Sequence, residues 1–376
     1  MLAAHWPSPG RLVVAAVAAV ALLCGPAAVD TMAHEGALFT QTNDPAGNTV
    51  QMFDRAGDGS LAPVGTFATG GVGLADLGGR QGAVELSDDE QTLYAVNAGS
   101  NSVTAFRVRA PGHHHRKGGL EIIGTVASGG VAPVSVDEQR GRVYILNSGG
   151  VPNVTAFRAG KHGGLTPISG GSRDLPGALG AAQVSVTPDG RRLVVTERES
   201  NRLETLPLDR RGRPGEPVVT ASSGATPFGF GFGRRGEVIV SEAGASTVSS
   251  YRLGQRGLLT AITASLPVNQ GAACWVAVSP NGRFAYTGNA AGSISGFAVA
   301  RNGSLTALDA DGLTAVVDPS PRDLDFARNG RFLYVVSPGD ATRGGRVTGY
   351  RVRADGSLAE ITSAPAAVGI TGAAAA

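Results

Sequence analysis

Two glutamates close similar runs of alternating residues: Leu193-Val194-Val195-Thr196 ends in Glu197, and Val238-Ile239-Val240-Ser241 ends in Glu242. Carboxylates placed side by side disfavour each other's charge, so such a pair shifts its own acidity and could do acid–base work or hold a cation. Arg198 or Arg202 would then be the counter-charge. Asn43, Asn97, Asn147, Asn289 and Ser337 stand at the corresponding point of like-patterned runs. With the glutamates they would form a ring of one polar side chain per run, and Asn97, Asn147 and Asn289 could contact a ligand. The same residues have a plainer use, since polar side chains at strand ends satisfy the backbone groups of turns. Both readings stand at this point.

Other reactive residue types offer less. His113-His114-His115 suggests a metal, but neighbouring residues of an extended segment point in different directions and no Cys or Asp cluster lies near. A solvated hairpin loop accounts for the triplet, and for His162 in a similar Gly-rich stretch. Cys274 lies between Ala273 and Trp275 and reads as a small buried hydrophobe. Gly229-Phe230-Gly231 falls within a strand pattern and opens no helix, so it is no nucleotide loop. No metal and no cofactor is expected.

The elements that would carry these residues repeat along the chain. VELSDDEQTLYAVNAGSNSVTAFRV begins at Val84, VSVDEQRGRVYILNSGGVPNVTAFR at Val134 and VSVTPDGRRLVVTERESNRLETLPL at Val184. Further copies begin at Phe230, Val276 and Leu324. Each holds an apolar segment, a polar turn, a second segment ending in a polar residue, and a third closing on an apolar or aromatic residue. A fourth apolar piece follows a Gly-rich turn, as at Leu258–Ser265 and Leu305–Asp309. The spacing is about 45 to 50 residues with four strands per copy, the pattern of a propeller blade. Pro188-Asp189-Gly190 and Pro280-Asn281-Gly282 are turns in which Pro presets φ and Gly accepts positive φ. Six copies make six blades. Ala37–Arg55 supplies the middle two strands of a seventh and Leu61–Ala68 its fourth, so the C-terminal Ala367–Ala374 is expected to add the innermost strand and close the ring. The fold class expected is all-β: a seven-bladed β-propeller of four-stranded antiparallel blades over residues 34–376.

The bulk properties agree. Charged residues are 16% of the chain, net charge is +2, and 56 glycines serve many tight turns. No long basic block exists, which argues against nucleic acid. Arg11, the apolar run Leu12–Leu23 and the small residues Ala27, Ala28 and Ala33 read as a signal peptide over residues 1–33, too short a run to span a membrane. The bulky Leu22-Leu23 ahead of Cys24 argues against a lipid anchor. The expectation is a secreted or periplasmic monomer without a membrane span. Cys274 would then be alone, so packing rather than a disulfide holds the fold.

These repeats, with PDGR and PNGR turns followed by polar residues, resemble the seven-bladed lactonase family of 6-phosphogluconolactonases and carboxymuconate lactonising enzymes, and are akin to YVTN-type propellers. The resemblance implies a hydrolase acting on a small lactone at the central channel face. In that family a His precedes the Pro-Asp-Gly turn of a middle blade, and the next blade opens Pro-Arg-His and carries Asn-Glu after its second strand. Here the matching residues are Ala182, then Pro227-Phe228-Gly229, then Ser241-Glu242; where a later blade often has Asn-Arg, this chain has Asn289-Ala290. Glu242 alone keeps a family polar residue. The alternative is therefore a non-catalytic propeller binding a small molecule, glycan or protein at the same face.

Overall fold

Alternation of apolar and polar residues lets a strand bury both faces only when sheets stack face to face, and each repeat becomes one such sheet. The computed structural model describes Met1 and residues 34–74, 80–109 and 118–376. The leader read over residues 1–33, Met1 apart, and the triplet His113-His114-His115 lie outside the described residues.

The described strands form seven antiparallel sheets. In blade 4, Ala181–Val186 is the innermost strand, followed outward by Arg192–Glu197, Arg202–Pro207 and Val218–Ala221. The other inner strands are Val84–Leu86 in blade 2, Val131–Gln139 in blade 3, Pro227–Phe232 in blade 5, Ala273–Val278 in blade 6 and Asp323–Phe326 in blade 7. Seven apolar clusters fill the spaces between neighbouring blades, one for each pair. Val194 and Phe230 share the cluster of blades 4 and 5, and Phe332 and Ala375 that of blades 7 and 1.

Blade 1 is closed as expected. Thr371–Ala375 pairs antiparallel with His34–Gln41, with Leu38 opposite Ala375, and is the innermost strand of that sheet. Blade 7 reaches over to fix it: Asp323 accepts a hydrogen bond from the Ala373 amide at 3.1 Å, and Asp325 one from Ala375 at 2.9 Å.

The turns work as their residues dictate. Gly190 has φ +73° and Gly282 φ +64°, while Asp189 and Asn281 accept the amides of Arg191 and Arg283 at 3.1 and 2.9 Å. Two local expectations are corrected. The fourth strand of blade 6 is split into Leu305–Ala307 and Ala315–Val316, both on Ser293–Val299. The second strand of blade 1 ends at Gln41 rather than Asn43, which lies in a turn at φ 51° and exchanges hydrogen bonds with the Leu74 backbone.

Candidate functional site

A propeller has two unlike faces. One carries the connectors from each outer strand to the next inner strand, together with the turns between second and third strands; the other carries the remaining hairpins. The polar ring of strand ends lies on the connector face, but it does not line the channel. Asn97, Asn147, Glu197, Glu242 and Asn289 are each wholly buried, and Ser337 is 1% exposed.

Their hydrogen bonds explain why. Asn97, Glu197, Glu242 and Asn289 turn outward along their own blades to the start of the third strand. Asn97 Nδ2 donates to Ser102 and Thr104 and its Oδ1 accepts from Asn48 of blade 1. Asn289 donates to Ser293 and Ser295, and Asn147 to the Ser128 carbonyl. Glu242 is the most heavily bonded. It accepts from Ser222 and the Gly224 amide of the incoming connector, and from Thr247, Ser249 and Tyr251 of its own third strand, at 2.5 to 3.3 Å. These residues are buried within the blades and their connectors, so their expected place at the channel is corrected.

The carboxylate pair exists with a different partner. Glu197 accepts from Arg202 Nε at 2.6 Å, and Arg202 Nη2 lies 3.3 Å from Glu204. Burial and the neighbouring Glu197 push Glu204 up to about 8, so it keeps its proton at neutral pH. Arg202 is thus the counter-charge to a pair formed by Glu197 with Glu204, not with Glu242.

A second group does gather at the channel mouth on the connector face. Thr196 of blade 4 donates to the Phe228 carbonyl and Ser241 of blade 5 to the Cys274 carbonyl, each at 2.5 Å, which fixes where the inner strands of blades 5 and 6 begin. Phe228 and Trp275 then meet edge to face, with ring centroids 5.6 Å apart. Three arginines from different blades lie against them. Arg80, in the connector from blade 1 to blade 2, and Arg198, in the turn after Glu197, have guanidinium carbons 6.0 and 5.6 Å from the Phe228 ring. Arg322, opening blade 7, is 5.8 Å from Trp275. Burial and then the Arg198 charge push Arg80 down to about 9, whereas Glu199 acts in the opposite sense. The exposed Glu199 carboxylate sits 3.6 Å from Arg198. Trp275 Nε1 is buried with no hydrogen-bond partner. Cys274 is buried, its thiol pushed up to about 11 chiefly by that burial.

Ala182 is wholly buried and Phe228 almost so. Sequence reasoning found Arg198 but missed Arg80, Arg322 and Glu199. The signal for Arg322 was present: Pro321-Arg322 opens blade 7 as Pro227-Phe228 opens blade 5.

Gln81 closes the channel beneath this group. Its side-chain amide bonds both the amide and the carbonyl of Val276, reaching from the start of blade 2 to blade 6, at 2.9 and 2.5 Å. A Cβ on Gly229 would collide with Gln81 Oε1 at 2.1 Å, so glycine is what lets the plug seat. Below it lies a cavity of about 330 Å³ lined by Glu85, Asp137, Asp323 and Asp325. Burial pushes Asp137 and Asp325 up to about 7 and raises Glu85 and Asp323 as well. Acids whose folded-state affinity for protons is raised stabilise the fold below their unfolded value, near 4, and lose that contribution as pH climbs to about 7. Asp209 and Asp340, held near 2, act only in more acidic solution. The unfolding temperature is therefore expected to fall by about 5 °C or more between pH 4.5 and 7.5, and Asp325→Asn to flatten that slope; a scan showing stability rising over this interval would refute the assignment.

Residues 153–275 match the family described as lactonase, 7-bladed beta-propeller. No curated protein sequence matches the chain. A candidate 6-phosphogluconolactonase from Bacteroides fragilis superposes with TM-score 0.73 at 20% identity, over 92% of this chain and 99% of the other. The Pseudomonas aeruginosa periplasmic gluconolactonase PpgL gives 0.71 at 16%, over 90% and 98%. Likeness at these identities carries the fold. Among the described residues no helix is long and apolar enough to cross a membrane, and no cluster of His, Cys, Asp and Glu could hold a metal.

Proposed function

Taking the chain as a seven-bladed propeller that resembles the lactonase family, we propose that it hydrolyses a small lactone at the connector-face mouth of its channel. One observation carries this reading: Arg80 and Arg198 share the Phe228 ring while Arg322 covers its neighbour Trp275. Cations crowded beside aromatic walls disfavour one another, and an anion placed among them relieves the repulsion. Lactone opening makes two such anions, the tetrahedral oxyanion formed when water adds to the carbonyl and the carboxylate left when the ring C–O bond breaks. Glu199 is the acid beside this group: it takes the proton from the attacking water and returns it to the ring oxygen as the C–O bond breaks, and the new carboxylic acid then ionises. Gln81 bars the path below, so the substrate enters and leaves on one face.

Export belongs to the same proposal, resting on the apolar run Leu12–Leu23 and the small residues after it. A second reading, a non-catalytic binder of a small molecule, glycan or protein at this face, is favoured by Ala182 and Phe228 standing where the family places His and Arg.

The test is acid release from a panel of sugar and aliphatic lactones, followed at constant pH. Arg322→Gln is expected to lower kcat/KM by about 10²–10³ and Glu199→Gln to lower kcat by about 10²–10⁴, both with unchanged unfolding temperature. No turnover of any lactone by the wild type would overturn the enzyme and leave the binder.

A further inference from the structure

The hairpin face, opposite the mouth, holds a feature that lactone chemistry does not use. Between blades 5 and 6 a groove of about 600 Å³ is lined by Arg234, Arg235, Arg283 and Arg301. The volume is that of a small-ligand site. Its residues come from three hairpins: Gly233-Arg234-Arg235-Gly236 of blade 5, Pro280-Asn281-Gly282-Arg283 of blade 6, and the blade 6 turn after Val299. Where blade 4 has Asp189 in its Pro-Asp-Gly turn, these turns carry Arg or Asn.

That exchange leaves the charges unbalanced. Three arginines elsewhere on this face do have acids beside them: Arg191 lies 3.9 Å from Asp189, Arg213 2.7 Å from Asp209, and Arg328 2.7 Å from Glu90. Among the described residues none of the four groove arginines forms an ion pair. The one acid in the lining, Glu237, is 8% exposed and accepts the Arg235 backbone amide at 2.9 Å. Arg283 is steadied by stacking 5.2 Å from Phe284 and by the Ala354 carbonyl at 3.3 Å.

We propose that this groove binds a compact multiply charged anion carrying phosphate groups. A carboxylate is planar and is filled by one guanidinium fork, whereas a phosphate accepts hydrogen bonds on several sides. Arginines that line one groove from three hairpins match the second. A free phosphate compound and a phospholipid headgroup share that chemistry.

Pyrophosphate titrated calorimetrically into the whole protein at low ionic strength is the probe. Arg235→Gln with Arg301→Gln is expected to weaken binding by roughly a hundredfold, about tenfold for each charged guanidinium removed, and Arg235→Lys with Arg301→Lys by less. Both pairs lie on exposed turns, so the unfolding temperature and lactone turnover should stay as in the wild type. Sedimentation with phosphatidylglycerol vesicles separates the sources: retention that pyrophosphate displaces assigns a headgroup, and pyrophosphate binding without retention assigns a free phosphate compound. No pyrophosphate binding, citrate binding equally well, or an unaffected double glutamine variant would each overturn the proposal.

Discussion

Removing residues 367–376 is expected to lower the unfolding temperature by more than about 10 °C, or to leave no soluble folded protein. The strand removed, Thr371–Ala375, is short and mostly alanine, yet small side chains are what let blades 7 and 1 approach closely. Without it the backbone of His34–Gln41 becomes the open edge of a sheet, with its amides and carbonyls unpaired. Ile370, wholly buried between those blades, leaves its cluster. Asp323 and Asp325 lose the amides of Ala373 and Ala375. Arg55 loses the Ala376 carbonyl, which its Nε reaches at 3.0 Å. Circular dichroism on the truncated protein checks this. An unfolding curve superimposable on that of the full chain would mean the ring is stable while open, and the account of closure would fail.

How far the sequence could be read depended on whether a feature repeats. Turns such as Pro188-Asp189-Gly190 and strands such as Val276–Val278 recur at a fixed interval, and the ring followed from counting them. Closure was legible because blade 1 lacked an inner strand and one apolar piece remained to supply it. Apart from Asn43, the strand-end residues stand at the ends expected of them but were aimed wrongly. Strand alternation says which face of a sheet a side chain occupies, and here that face meets the next blade rather than the channel. Glu197 has Arg202 and Glu204 on its third strand to turn toward, and Glu242 has Thr247, Ser249 and Tyr251. The mouth was harder to see because its parts do not repeat. Arg80, Arg198 and Arg322 come from a connector, a turn and a strand start, and only the curvature of the ring brings them to one pair of aromatic rings.

Glu242 gives the sharpest separation between pinning a fold and performing a reaction. Its carboxylate is wholly buried and accepts from five donors, four of them on Oε1. Glu242→Ala strands three hydroxyls of its own third strand and two groups of the incoming connector without an acceptor. Breaking a buried charged network from one side costs about 3–5 kcal/mol, and that loss is expected in denaturant unfolding. Glu242→Gln keeps the shape and one acceptor oxygen but turns an amide donor toward other donors, so a smaller loss of about 1–3 kcal/mol is expected. Lactone turnover should then fall in both variants only in proportion to the fraction folded. A Glu242 that takes part in the reaction would behave the other way: the glutamine variant would be as stable as the wild type and inactive. That result would return the reacting centre to the strand-end ring and remove Arg80, Arg198, Arg322 and Glu199 from it.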